Sequence, residues 1–407
     1  MAAVFFYHVK DDIMTKPFES FHYELEVVTP VHIGGSKDND YMLGADFYSE
    51  ESKQQLVFFK QNEVLKQLTP QQLKQYSTAI SQNRMAPAAN IIKGVCEKHP
   101  ELVIQSVYFP FEIPNEIKRH YATGLGKITI PGSSIKGALR SCFGNHMINN
   151  GASRPHNSRS FDELFGSINN NLMRFLQVTD VELDLPSAVL PMKIFSGDLS
   201  TSIQNVNGQL AYEGEGTWKH SPRGGHGISF DENGFVFQYE ICTQGAKGDL
   251  RLNWAKGLDD LVEVNRKPNG YRLFDEIKSN KWMGLVRKQM AEFIEKERRF
   301  YDTFLNDDFS VVFSLLNNLK ELNRDPNSVL LRLGAGSGYH AITGNWNYID
   351  HTQTGQQHSW NKNTKTNETI NAIKYKTRKV AFGLTHDEEG ELLDFQLPGF
   401  VKITVQQ

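Results

Sequence analysis

Lys127-Ile128-Thr129-Ile130-Pro131-Gly132-Ser133-Ser134-Ile135-Lys136-Gly137-Ala138-Leu139-Arg140 is the stretch on which the reading of this 407-residue chain turns. Its first four residues predict a strand, Pro131-Gly132 a turn, and Ser133 or Ser134 a helix N-cap, since a serine hydroxyl satisfies a backbone N–H that the first turn leaves open. Ile135, Ala138, Leu139, Cys142, Phe143, His146 and Met147 then recur at helical spacing and predict a helix lying against a sheet. Lys136 and Arg140 fall one turn apart on the other face. A helix start presents unpaired N–H groups and the positive end of the helix dipole, so with two hydroxyls and a lysine beside it the segment suits a phosphate. A well-capped amphipathic helix with incidental basic residues explains the same pattern equally well. The Gly-x4-Gly-Lys-Ser/Thr spacing of a nucleotide-binding loop is absent.

Upstream, residues 21–31 alternate polar and apolar positions as a strand does, and run into the glycine turn His32-Ile33-Gly34-Gly35-Ser36. The Gln- and Lys-rich region near 61–107 reads as short amphipathic helices inserted after the first strands. Downstream, 172–183 and 189–195 read as strands, and 196–234, rich in Gly, Asn, Ser and isolated aromatics, predicts a projecting loop or hairpin. A strand from Phe235 to Cys242 precedes two helices, one striped by Val286, Met290, Phe293, Ile294, Tyr301 and Phe304, the other by Val312, Leu315, Leu316 and Leu319. The strand Val329–Leu333 leads into Gly334-Ala335-Gly336-Ser337-Gly338, a polar stretch and two closing strands. The pattern predicts an α+β architecture of helices packed on antiparallel sheet, with an N-terminal region 1–200, a loop 201–234 and a C-terminal α+β region 235–407.

Four further features bear on chemistry. The glycines at 334, 336 and 338 allow close backbone approach and could form an anion nest, but they miss the dinucleotide fingerprint and read best as a tight turn. His32 has the chemistry of a general base for RNA cleavage, and Asp38, Asp40 and Asp46 that of metal ligands; a structural hydrogen bond and a solvated loop are the plainer readings. Trp218-Lys219-His220-Ser221-Pro222-Arg223 interleaves an aromatic with cations, which fits either stacking on bases or anchoring a protein partner. Basic residues cluster in 116–140 (Lys118, Arg119, Lys127, Lys136 and Arg140 against Glu116) and in 371–380 (Lys374, Lys376, Arg378 and Lys379 against no acid). No Gly-x-Ser-x-Gly, His-Glu-x-x-His or Cys-x-x-Cys pattern occurs.

Composition adds little to this. A net charge of −3 with 39% hydrophobic residues gives no global signal for nucleic acid. Cys96, Cys142 and Cys242 lie far apart, which argues for a reduced, cytoplasmic setting. The start MAAVFFYHVKDD lacks the basic region and cleavage site of an export signal, and no window predicts a membrane span.

The Thr29-Pro30-Val31-His32-Ile33-Gly34-Gly35 start, the Ile130–Arg140 core and the Arg332-Leu333-Gly334-Ala335-Gly336-Ser337-Gly338 loop together resemble the RAMP superfamily of CRISPR proteins. With Phe165-Gly166 and Arg174-Phe175-Leu176-Gln177-Val178-Thr179-Asp180 between them, their order and spacing are similar to those of the fifth Csm subunit of type III-A effector complexes; residues 55–110 and 245–325 contribute little. The resemblance implies a ferredoxin-like (RRM-type) core with helical insertions, a thumb-like loop and a second α+β half. It implies a place at the end of the backbone filament, on the 3′-proximal part of the crRNA. The implied neighbours are the repeated backbone RAMP subunit, a small helical subunit, target RNA and recruited host nucleases, in the service of crRNA maturation and antiviral defence. Carried over by residue, Ser133, Ser134, Lys136 and Arg140 would hold crRNA phosphates, and Gly34, Gly35, Gly334, Gly336 and Gly338 would line the same groove. His32, Ser36, Trp218, Lys219, Arg223, Lys376 and Arg378 complete the expected RNA-binding set. Backbone subunits of such complexes cut target RNA with a loop aspartate; none here is matched to it, Asp38, Asp40 and Asp46 lying nearest. The expectation is therefore a subunit without nuclease activity, metal or cofactor, a RAMP-family endoribonuclease being the alternative.

Overall fold

The first strand, β1 (Phe18–Val27), buries Tyr23, Leu25 and Val27 on one side and turns Glu24 and Glu26 to the other, so one face of its sheet must be covered. The computed structural model that shows this describes residues 18–35, 39–124, 126–152, 164–166, 171–206, 209–222, 225–232, 234–255, 282–304, 309–338, 354–361, 366–373, 377–387 and 390–406. β1 lies at the centre of a five-stranded sheet, in the order β15 (Ser328–Arg332), β20 (Phe400–Val405), β1, β14 (Lys247–Ala255), β8 (Leu176–Val178), and every neighbouring pair is antiparallel. Leu250, Leu252, Trp254, Val329, Leu331, Val401 and Ile403 extend the apolar face. Onto it pack α4 (Gly132–Asn149), through Ile135, Leu139, Phe143 and Met147, and the start of α5 (Trp282–Thr303). The indole of Trp282 meets the Tyr23 ring edge-on at 5.6 Å. Ion pairs Glu24–Lys247 and Glu26–Lys402 tile the opposite face.

The sheet takes strands from before residue 200 and after 235, so the boundary drawn from sequence does not separate two cores. The inserted region does have a core of its own. β3 (Phe47–Glu50), β4 (Gln55–Phe59) and β5 (Val103–Tyr108) form a small sheet against α1 (Gln61–Gln67), α2 (Pro70–Ser81) and α3 (Met85–Cys96), burying Phe47, Leu56, Phe58, Val64, Ala88 and Ile92. Pro70 at the first position and a capping box between Thr69 and Gln72 start α2. The end of the predicted helical insertion is instead the strand β5, whose Val103, Gln105 and Val107 alternate with exposed residues. The short pairs β2 (Tyr41–Met42) with β6 (Glu116–Ile117) and β7 (Thr129–Ile130) with β9 (Val181–Glu182) close the connections.

A second sheet runs β12 (His226–Gly227), β11 (Gln209–Lys219), β10 (Ser187–Val206), β18 (Thr377–Asp387), β19 (Gly390–Gln396), with β13 (Phe237–Cys242) also on β10. The glycine-rich stretch after 196 is the hairpin form of the sequence expectation: β10 continues for 20 residues and pairs with β11 from Phe195↔Trp218 to Val206↔Gln209. Two glycines there admit aromatics, since a Cβ on Gly197 would sit 2.4 Å from the Phe304 ring and one on Gly216 2.2 Å from Phe195. Between the sheets, α5 and α6 (Ser310–Leu322) bury Phe293, Tyr301, Val312 and Leu316 with Phe195, Trp218 and Phe395. A further hairpin joins β16 (Thr354–Asn361) to β17 (Thr366–Ile373). Among the described residues, no helix is long and apolar enough to cross a membrane.

Candidate nucleic-acid interface

The glycine turn, the glycine loop and the start of α4 lie far apart in sequence and come together through backbone hydrogen bonds. The extended segment 119–123 is the connector. Its Tyr121 N–H donates to the Ile33 carbonyl (2.7 Å), and the Tyr121 carbonyl accepts from Thr129 N–H (3.3 Å), two residues before the Pro131 that opens α4. On the other flank, Ala335 N–H donates to the His32 carbonyl (2.7 Å). Gly334 has φ +83°, and a Cβ there would lie 2.3 Å from that same oxygen, so the close approach of the two loops requires glycine. The anion-nest reading of this loop is corrected in part, because the N–H groups of Ala335 and Ser337 are spent on His32 and Gly334 carbonyls. Gly34 and Gly35 are exposed.

The helix cap also differs from expectation. α4 begins at Gly132 with Pro131 as N-cap, and Ser133 and Ser134 fall in its first turn. Gly132 is there because the helix abuts the β8–β9 turn: a Cβ would sit 2.2 Å from the Val178 carbonyl oxygen. The carboxylate of Asp180 takes the Gly132 N–H at 2.7 Å and so does the capping that a serine was expected to do. Ser133 is left exposed, with Ser134, Lys136 and Arg140 half-buried. Burial, and then the neighbouring Arg140, push the Lys136 ammonium below its usual range, and Lys136 forms no ion pair with a described residue. The Arg140 guanidinium lies 5.0 Å from the Phe165 ring centre.

Below the glycine turn lies a buried polar knot that no local signal announces. His32 Nδ1 bonds the Glu240 carbonyl (2.7 Å), and His120 Nδ1 accepts from Ile33 N–H (2.9 Å). The Glu240 carboxylate accepts from His120 N–H (2.9 Å) and the Ser187 hydroxyl (2.7 Å). Burial, with His32 beside it, pushes the His120 imidazole down to about 3; burial also lowers His32 and raises Glu240. Both imidazoles are therefore neutral at pH 7, enclosed and engaged. His32 is corrected from an RNA contact or general base to a structural group under the turn.

Other expected site residues are redistributed. Trp218 is fully buried among Phe195, Phe230, Phe309 and Phe395, so it offers no face to a base or a partner. Lys219 lies with its ammonium 4.7 Å from the Phe235 ring centre. Arg378 is also corrected: it is buried, and with Arg332 it clasps the Glu297 carboxylate, at N–O distances of 3.0 and 3.3 Å. Ser36, Asp38, Arg223 and Lys376 lie outside the described residues. Asp40 accepts from the Lys118 ammonium (2.7 Å) and Arg119 N–H (3.1 Å), and Asp46 from Met42 N–H (2.9 Å), so both are engaged in holding the chain. The described residues contain no group of His, Cys, Asp and Glu placed to hold a metal. One cation outside the expected RNA-binding set is Lys379. It donates to the Tyr239 hydroxyl (2.6 Å), and its Cβ lies 3.5 Å from where a Cβ on Gly336 would be; its place in the basic run 371–380 was the signal.

The model of the RAMP superfamily matches residues 24–348, most of the chain and all three segments of this interface. Among solved structures, one chain of a cryo-EM Csm–crRNA–target RNA ternary complex of a type III-A CRISPR-Cas system matches with a TM-score of 0.55 at 16% identity, over 95% of this chain and 100% of that one. The crystal structure of T. onnurineus Csm5 matches with a TM-score of 0.50 at 16% identity, over 77% of this chain and 90% of that one. No curated protein sequence matches.

Proposed function

The chain belongs to the RAMP superfamily, and from that premise we propose that it is the RNA-binding subunit that caps the backbone filament of a type III-A (Csm) complex at the 3′-proximal end of the crRNA. The observation that carries the proposal is the convergence, through Tyr121 and Ala335 backbone bonds, of two glycine segments on a helix start bearing Ser133, Ser134, Lys136 and Arg140. Exposed glycine backbone admits a sugar-phosphate chain closely, and hydroxyls and cations at a helix start receive phosphates. The order β20–β1–β14–β8 with α4 and α5 on one face supports a ferredoxin-like core. The likeness in fold to Csm5 and to a chain of an RNA-bound Csm complex supports the setting. In it the partners are crRNA and target RNA, the repeated backbone RAMP subunit and the small helical subunit, and the β10–β11 hairpin occupies the place of the thumb. The role in crRNA maturation and antiviral defence is to hold and shelter the RNA end while recruited nucleases trim it.

The proposed subunit does not cut RNA itself. That part rests on the engagement of His32, Asp40 and Asp46 in structural bonds. The test is binding of labelled crRNA to the wild type and to a Lys136→Ala, Arg140→Ala double variant. Loss of two charge-assisted contacts weakens binding by about 100-fold or more. Unchanged affinity in a folded double variant overturns the proposal.

A further inference from the structure

Among the described residues, the helix start and glycine segments provide hydroxyls and cations for phosphates but no exposed aromatic face for a base. We infer that Tyr121 supplies that surface, stacking on one base of single-stranded RNA in the groove; the inference rests on the RNA-binding reading above. Its backbone position is decisive. Tyr121 is the residue hydrogen-bonded both to the glycine-turn segment, at Ile33, and to the strand that leads into α4, at Thr129. Its backbone therefore links the two elements proposed to hold the RNA backbone.

The environment of the ring agrees. The preceding residue, His120, turns inward to Thr129, Glu240 and Cys242, while Tyr121 remains 37% exposed. Its side chain makes no hydrogen bond or ring contact with any described residue. Among the large exposed hydrophobic side chains described, the only other aromatic is Tyr108, which sits in the inserted region with its hydroxyl on Gln54. Among the described residues, Tyr121 is thus the exposed aromatic on the segment that joins the glycine turn to the helix start. The glycine turn bonded to this segment is open, since Gly35 is exposed and no described atom lies within 4 Å of where its Cβ would be. Lys127 is close in the chain, and its exposed pair with Glu182 (2.8 Å) is of the kind that contributes little and yields readily to a phosphate. An aromatic among cations is how sequence-tolerant single-stranded RNA sites are built.

The test uses the full chain and single-stranded RNA of the crRNA 3′ region. Tyr121→Ala weakens binding by about 5- to 150-fold, the range that one base–aromatic stack spans, while Tyr121→Phe binds within about twofold of wild type. Because stacking releases no counterions, the slope of log affinity against log salt is unchanged in Tyr121→Ala, whereas Lys136→Ala makes it shallower. In the unaltered protein, RNA carrying 4-thiouridine cross-links to the peptide containing Tyr121. Wild-type affinity in Tyr121→Ala, equal losses in the Ala and Phe variants, or cross-links confined to other peptides each overturn the inference while the RNA-binding reading stands. A wild type that binds no RNA removes both.

Discussion

Gly334 and Gly338 share left-handed backbone, with φ of +83° and +78°, but not the space around it. A Cβ on Gly334 would lie 2.3 Å from the His32 carbonyl oxygen and 3.1 Å from its carbon; one on Gly338 would meet nothing nearer than Arg378 Cδ at 3.8 Å. Gly338→Ala therefore bears the cost of the backbone angle, about 1–2 kcal/mol, reduced by about 0.4–1 kcal/mol because alanine stiffens the unfolded chain. Gly334→Ala bears the same and also forces the loop away from His32. That breaks the 2.7 Å bond from Ala335 N–H and leaves a buried carbonyl unpaired, for about 1–3 kcal/mol more. The expected losses are roughly 1–4.5 kcal/mol at 334 and 0–1.5 kcal/mol at 338. Urea unfolding followed by tryptophan fluorescence, with variants compared at matched slope, reads the difference. Equal losses at the two positions would refute the claim that close approach, and not the backbone angle alone, fixes glycine at 334.

Two further outcomes come from buried charge. Glu297→Ala leaves Arg332 and Arg378 enclosed without the carboxylate they share, and lowers stability by about 3–5 kcal/mol in the same urea assay; a loss under about 1 kcal/mol contradicts the packing described. His120 stays neutral in the folded chain down to about pH 3, whereas in the unfolded chain it takes up a proton below about 6.5. The unfolded state then binds more protons, so stability falls as pH drops below about 6.5, by up to about 1.4 kcal/mol per unit from this residue. His120→Asn flattens the profile between pH 6.5 and 4, and superimposable profiles would show that His120 is solvated.

Much of the frame was legible because its signals are local. The strand-to-helix step at Thr129–Arg140, the stripes of α5 and α6, and the Val329–Leu331 strand before the glycine loop are each written within a few turns of chain. Where partners lie far apart in sequence, local reading fails. Nothing near Gly132 shows that Asp180 will cap it, and that carboxylate displaces the serine from the N-cap. The glycines around 197 and 216 leave loop and hairpin equally open; what no local pattern shows is that they admit Phe304 and Phe195 to the hairpin, which encloses Trp218 in an aromatic core. Arg378 reads as one of a solvent-facing basic run until Glu297, 81 residues away, draws it inside. His32 likewise owes its setting to Glu240 and His120.

The most direct measurement of the central claim is cross-linking in a Csm complex reconstituted with this subunit, using crRNA that carries photoreactive nucleotides at single positions. The account predicts cross-links from 3′-proximal nucleotides to the peptide spanning 132–140, reduced in the Lys136→Ala, Arg140→Ala variant, with the crRNA uncut by the isolated subunit in magnesium. Cross-links from the 5′ end, none to that peptide, or magnesium-dependent cleavage by the purified chain would contradict it.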